Sequence, residues 1–460
     1  MLHILTVKEI ARTVGGTLLA GDGDTPVFSV TSDSRSVQEG ALFIPWKGDR
    51  FDGHDFIPDA LTAGAVAAFT ERDVERPIPG KCYIRVPDVK TALKDLARYR
   101  REQVSVPFVQ VTGSTGKTTA KEMLATVLSE KYRTLKTVGN FNGELGTPLL
   151  LMTLTDEYEA AVVETGMDRA GQIRSLGSLV QPHIAVILNV GVAHMEFLGS
   201  RENICKAKCE IFEHLDADGI AVLNGDDDML QKVRLPQKIY FCGRGENCNV
   251  RVTEIDDRGI EGVFCTVTTE KNRYRLHIPA PGVHMIYAAS MATVIGEYLG
   301  LTGEEIVRGV AAFVPTGDRM RVERLAQGRI MLNDSYNANP DSMEAALRTL
   351  AATKAEKRIA FLGDMKELGT ATEEAHRRMG TLLGELGIDT LFCTGAFCKA
   401  HMAEAARQAG CLDVRWYEKK DDAYGDLTEA FCPDTALLLK GSHFANRLDM
   451  AADYLRSYQF

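Results

Sequence analysis

The 460-residue sequence holds no apolar run near the ~18 residues a membrane-spanning helix needs, so no membrane insertion is expected. Its start, Met1-Leu2-His3-Ile4-Leu5-Thr6-Val7-Lys8-Glu9, lacks a basic segment followed by an apolar one, and no secretory signal is expected. Cys-x-x-Cys pairs are absent from the ten cysteines, which run from Cys82 to Cys432. The nearest neighbours, Cys205/Cys209, Cys242/Cys248 and Cys393/Cys398, do not have structural-zinc spacing, and a chain this long needs no disulfide staples. Reduced thiols filling small apolar gaps in a cytoplasmic protein are the expectation. Positive charge is in deficit, with 53 Lys+Arg against 63 Asp+Glu and a formal net charge of −10. That balance argues against a nucleic-acid partner, and any phosphate site has to be built from local Lys, Arg and backbone N–H groups. The 41 Gly and 15 Pro follow no period, which excludes collagen-like and low-complexity architectures, and no solenoid repeat is visible.

What is present is an ordinary globular composition, 45% apolar and 25% charged, in a length that suits two to four domains. Apolar strand-like runs alternate with amphipathic helical stretches, so the fold class is α/β. Three parts are expected. Residues 1–86 form a small N-terminal α/β domain with short strands at Val27–Val30 and Ala41–Ile44 and a small-residue helix and strand over 60–69. Glu75–Gly80 and Pro87 punctuate its end. Residues 87–314 form a central domain whose runs Pro107–Val111, Ala160–Val163, Ile184–Leu188 and Ile220–Leu223 read as buried parallel strands, with an antiparallel edge over 250–278. Residues 315–460 form a C-terminal Rossmann-like α/β domain on Ile330–Leu332, Ile359–Leu362, Thr390–Phe392 and Ala436–Leu439.

The strongest local signal is Val111-Thr112-Gly113-Ser114-Thr115-Gly116-Lys117-Thr118-Thr119, which follows a strand and opens a helix over 120–130. It is a short phosphate loop, Gly-x-x-Gly-Lys-Thr; the longer form would need Gly where Val111 stands. Its glycines let backbone N–H groups turn towards phosphate oxygens, and the helix N-terminus adds partial positive charge. Lys117 would reach the β and γ phosphates and Thr118 would ligate Mg²⁺. Glu164 closes the run Ala160–Val163, and His194 lies four residues beyond Ile184–Val190. Ligands in an open parallel sheet collect at the carboxyl ends of strands. Alone, each residue reads as an ordinary loop polar group; beside a phosphate loop, both become candidate metal ligands.

Together these segments resemble the Mur ligase family, the ATP-dependent amide-forming enzymes of peptidoglycan precursor synthesis, and within it the dipeptide-adding branch. The resemblance runs through all three parts. Ser32-Asp33-Ser34-Arg35 and Lys47-Gly48-Asp49-Arg50-Phe51-Asp52-Gly53-His54-Asp55-Phe56 resemble its uridine-nucleotide segments. Thr112–Thr119, Glu164-Thr165-Gly166-Met167, Asn189–His194 and Ala207-Lys208-Cys209-Glu210 resemble its phosphate loop, its two metal segments and its carbamylated-lysine segment. Asp334–Met343 and Gly363-Asp364-Met365-Lys366-Glu367-Leu368-Gly369 resemble runs of the dipeptide-adding branch.

The resemblance implies a UDP-substrate domain, a central ATP-binding domain and a C-terminal ligase domain. Its substrates would be UDP-N-acetylmuramoyl-tripeptide, D-Ala-D-Ala and ATP, and the protein would be a monomer. Ser32, Ser34, Arg35, Lys47 and Gly48 would bind the uridine substrate. Gly113, Ser114, Thr115, Gly116, Lys117, Thr118 and Thr119 would bind the ATP phosphates and Asp334 the ribose. Thr118 and Glu164 would hold one of two Mg²⁺ ions, and His194 with a CO2-derived carbamate on Lys208 the other. Lys117, His194, Lys208 and Arg319 would be catalytic, Arg319 sensing the γ-phosphate. Asn337 and Asn339 would place the dipeptide.

Three departures stand out. Asn140-Phe141-Asn142-Gly143-Glu144-Leu145-Gly146 replaces Asn-x-Asn-Asn-Glu-Ile-Gly, and Lys440-Gly441-Ser442-His443 replaces Lys-Gly-Ser-Arg. In Pro281–Ala288, Met285 and Ala288 stand where the family has two asparagines, the second associated with the adenine. Two alternatives stay open: another single-amino-acid or folate polyglutamate-type ligase, and a degenerate ligase-shaped scaffold that binds nucleotide without turnover. Retention of Lys117, Glu164, His194 and Lys208 counts against the scaffold.

Overall fold

Three sheets are strung along the chain in the computed structural model, which describes residues 4–48 and 51–460 and, for 443 and 444, the backbone only. Asp49, Arg50 and the His443 side chain, all noted above, lie outside the described residues.

The first sheet has five strands in the order Thr17–Ala20, Cys82–Arg85, Ala67–Thr70, Ala41–Phe43, Ser29–Thr31. Only the first pair is antiparallel. Helix Val89–Glu102, capped at Asp88 by a 2.7 Å bond from the Thr91 N–H, leads out of it.

The second sheet has nine strands, and seven of them, from Thr134–Lys136 to Val250–Asp257, run parallel. Phe108–Thr112, Ala160–Glu164 and Ile184–Ile187 are buried at every position, which is why they read as continuous apolar runs. Val263–Thr268 and Arg273–Ile278 add an antiparallel edge, and Arg273–Ile278 alternates exposed and buried as a one-faced strand must. Helix Lys117–Leu128 packs into this core; it starts three residues before the sequence signal placed it, because Gly116 at φ 74° supplies the turn into Lys117.

The third sheet runs Arg321–Arg324, Ile330–Asn333, Thr435–Lys440, Lys357–Gly363, Thr390–Thr394, Asp413–Tyr417, parallel after its first pair. The three units touch through apolar side chains. Leu145 and Leu149 pack on the core of the first, and Val192 and Ile260 on a core of the third. All cysteines are free thiols, and all but Cys205, Cys209 and Cys432 are buried.

Candidate active site

Strand Phe108–Thr112 lies between Ala160–Glu164 and Ile184–Ile187, and all three run parallel, so the loops leaving their carboxyl ends meet at one point. The strand order reverses here, the crevice in which open α/β sheets bind ligands. Gly113 permits the close approach, since a Cβ on it would sit 2.9 Å from Leu188 Cβ. Asn189 then ties the loops together. Its Oδ1 accepts from the backbone N–H groups of Ser114 at 3.0 Å and Thr115 at 2.9 Å, and its Nδ2 donates to Thr115 Oγ1 at 3.0 Å. The Gly191 N–H donates to Ser114 Oγ at 2.9 Å.

Lys117 Nζ donates to the Gly113 carbonyl at 2.9 Å. Burial pushes its amine below the usual range, while Glu164 pulls it back up and Arg319 adds to the fall. Glu164 is buried at the end of its strand and accepts from Asn142 Nδ2 through Oε1 at 2.7 Å. Its Oε2, like Thr118 Oγ1, is buried without a hydrogen-bond partner among the described residues. Two unpartnered buried oxygens, one of them a carboxylate's, suit a hard cation, which takes oxygen ligands. Lys208, on helix Arg201–Cys209, is also buried, and its side chain makes no hydrogen bond or ion pair among the described residues. Burial first, then the charge of Lys117, drives its amine well below the ordinary lysine range.

The third unit supplies the opposite wall. The Arg319 guanidinium stacks 3.9 Å over the Tyr336 ring. Asp334 accepts from the Met320 N–H at 3.0 Å and pairs with buried Lys440 at 2.5 Å, and Lys440 Nζ also donates to the Asn337 carbonyl at 2.9 Å. Asn339 caps helix Pro340–Ala352, its Oδ1 accepting from the Ser342 N–H at 2.9 Å. His194 Nδ1 lies 2.7 Å from Glu367 Oε2, a contact between the second unit and the third. Both residues hold left-handed backbone, φ 63° and 62°, a strain that non-glycine residues bear chiefly at functional sites. The His194 ring holds the Glu367 carboxyl below its usual range.

These groups surround one cavity of about 660 Å³. Ser114, Thr115, Gly116, Lys117, Thr118, Thr119, Glu164, His194, Arg319, Asp334, Asn337 and Asn339 all line it, as do Met285 and Ala288. Gly113 and Lys208 are outside its lining, although Lys208 is close enough to feel the charge of Lys117. The five residues expected at the uridine substrate gather elsewhere. Ser32, Ser34 and Arg35 follow strand Ser29–Thr31, and Lys47 and Gly48 follow its parallel neighbour Ala41–Phe43, so both segments share one end of the first sheet. There Arg35 forks onto Asp33 with two 2.9 Å bonds, and the Asp33 carboxyl falls to about 2. The Gly48 N–H donates to the Phe51 carbonyl at 3.1 Å.

Asn189, Glu367, Lys440 and Asp341 carry no role in the sequence reading, although each lies in a segment quoted there. The partners of the first three stand tens or hundreds of positions away, so no local spacing announces them.

Residues 27–101 match the Mur ligase family catalytic domain, 111–296 the Mur ligase middle domain, and 318–443 the Mur ligase glutamate ligase domain. The chain is 36% identical over 455 residues to the UDP-N-acetylmuramoyl-tripeptide–D-alanyl-D-alanine ligase of Bacillus subtilis strain 168, covering 98% of each chain. A crystal structure of MurF from Acinetobacter baumannii superposes with a TM-score of 0.90 at 31% identity, covering 99% of this chain and 100% of the other. MurF ligase from Thermotoga maritima in complex with ADP gives 0.80 at 28% identity, covering 93% and 96%.

Proposed function

The chain belongs to the Mur ligase family, and from that premise we propose that it joins D-alanyl-D-alanine to UDP-N-acetylmuramoyl-tripeptide with ATP, as the curated relatives' names describe. The observation that carries the reading is one cavity lined both by the phosphate loop and by third-domain Arg319, Asp334 and Asn337. A carboxylate and an amine do not condense in water unaided. ATP transfers its γ-phosphoryl group to the tripeptide carboxylate, and the amine of the dipeptide displaces phosphate from the resulting acyl phosphate. Phosphoryl transfer asks a protein mainly for positioning and charge stabilisation, which Lys117 and Arg319 supply to the γ-phosphate. Asp334 contacts the ribose, and Asn337 and Asn339 help to place the dipeptide. Ser32, Ser34, Arg35, Lys47 and Gly48 anchor the uridine end, far enough away for a long substrate to reach from one domain to the next.

Thr118 and Glu164 would hold one Mg²⁺, and His194 with a carbamate on Lys208 a second; such ions would supply charge neutralisation to phosphate and carboxylate. The carbamate reading is supported by the environment of Lys208. An amine forms a carbamate with CO2 only when unprotonated, and burial and the charge of Lys117 shift this one in that direction, whereas an ammonium would repel a cation. The domains divide as 1–86, 87–314 and 315–460, and closing them excludes the water that would hydrolyse an acyl phosphate. Among the described residues no helix is long and apolar enough to cross a membrane. The family reading makes a monomer working in the cytoplasm the expected form.

Incubation with ATP, the uridine-linked tripeptide and either D-Ala-D-Ala or single amino acids, followed by mass spectrometry, tests this reading. A product bearing the dipeptide supports it. A product bearing one amino acid moves the protein to a sibling ligase, and no product with intact nucleotide binding identifies a scaffold.

A further inference from the structure

The amine of a dipeptide reaches the site as an ammonium, which has no lone pair to attack with, so the second half-reaction needs a proton acceptor. Six carboxylates line the cavity: Glu144, Glu164, Asp168, Asp334, Asp341 and Glu367. Five are engaged. Glu144 pairs with Lys94 at 2.9 Å, Glu164 accepts from Asn142 at 2.7 Å, and Asp168 pairs with Arg169 at 3.1 Å. Asp334 is held by Lys440 and the Met320 N–H, and Glu367 lies against His194. Asp341 makes no hydrogen bond or ion pair among the described residues.

The cations nearest Asp341 are already committed. Arg201 donates to Asp228 at 2.6 Å and to the Val190 carbonyl at 2.9 Å, and Arg378 pairs with Glu344. Asp341 lines the cavity and is exposed there. Burial raises its carboxyl above the ordinary range against the pull of Arg201 and Arg378, with Glu344 and Asp227 adding to the rise. A carboxylate facing a cleft without a paired cation is placed to accept a proton from a ligand there.

Its position is fixed by Gly191. A Cβ built there would lie 2.0 Å from Asp341 Oδ2 and 3.4 Å from Ser114 Cβ. The carboxylate therefore rests against the segment that joins the phosphate loop to His194, where an acyl phosphate would form.

We propose that Asp341 is the base of amide formation, receiving the ammonium of the incoming dipeptide and taking one of its protons. This rests on the ligase reading above. The freed amine forms the C–N bond as the carbonyl carbon's bond to the phosphate oxygen breaks. The second amine proton leaves with the phosphate, and Asp341 returns its own to solvent.

Hydroxylamine, uncharged at neutral pH, attacks acyl phosphates without a base, so it separates the two half-reactions. In D341N, ligation of D-Ala-D-Ala should fall about 100-fold or more. Hydroxamate formation from ATP, the uridine-linked tripeptide and hydroxylamine should stay within about threefold of the parent. Parental ligation by D341N overturns the proposal. Equal loss of ligation and hydroxamate also overturns it, since Asp341 would then serve phosphoryl transfer or the fold. A parent that forms hydroxamate but couples no D-Ala-D-Ala contradicts the ligase reading instead, whatever the variant does.

Discussion

Lys117 is half-buried and its Nζ donates to carbonyls of its own loop, so its charge is poised for phosphate and does little to hold the fold. Lys117→Ala should abolish ligation, and calorimetry should find the affinity for the uridine substrate lowered by less than ~1 kcal/mol, as for independent distant sites. A larger loss would mean that the uridine segments and the cavity are not separate. Base recognition is where the residues depart from the family. Met285 and Ala288 line the cavity, and neither offers a donor or acceptor from its side chain to a base edge. An asparagine pairing with adenine discriminates by ~1–3 kcal/mol, so ATP should exceed GTP in kcat/KM by less than ~1000-fold, and Ala288→Asn should widen the ratio. A larger preference that Ala288→Asn leaves unchanged would assign base reading to another group, of which Asn224 on the same wall is the nearest in kind. Lys117, Glu164 and His194 were legible one by one because their residue types sit at fixed offsets from strands. Asp341 was not, because what distinguishes it is the absence of a partner.

Strands buried on both faces announced themselves as apolar runs, and the three that carry the site were found within a residue or two. Thr134–Lys136, Arg321–Arg324 and Asp413–Tyr417 were missed, being short, half-exposed and rich in polar residues, and Lys238–Gly243 was missed although Ile239–Cys242 is an apolar run. Ile184–Ile187 ends one residue before the apolar run Ile184–Leu188 does, and Asn189 just beyond turns its side chain back to the phosphate loop. The contact between elements that the chemistry most depends on is that of helix Pro340–Ala352 with the segment at Gly191. Gly191→Ala would drive a Cβ into Asp341 and lift that helix off the phosphate loop. A displacement near 1 Å costs about 100-fold in rate, so kcat should fall by that order. Thermal denaturation should move by only a few degrees, since the contact lies at a domain face and outside each core. An unchanged kcat would show that the helix adjusts without cost.

At the scale of the molecule, three sheets divide the work. One carries the phosphate loop, one carries the segments expected at the uridine substrate, and one lines the same cavity as the loop with Arg319, Asp334, Asp341 and Glu367. The order of these units could be read along the chain because each carries its own motif and its own apolar strands. Their mutual contacts, such as His194 with Glu367, could not, because each half of a contact between domains is an ordinary polar residue in its own segment. The architecture makes sense for a reaction in which a labile acyl phosphate must be formed and consumed before water reaches it. Phosphate release measured with each substrate omitted in turn tests that account most directly. It predicts rapid release only when ATP, the uridine-linked tripeptide and D-Ala-D-Ala are all present. Equal release without the dipeptide, or none with all three, would contradict it.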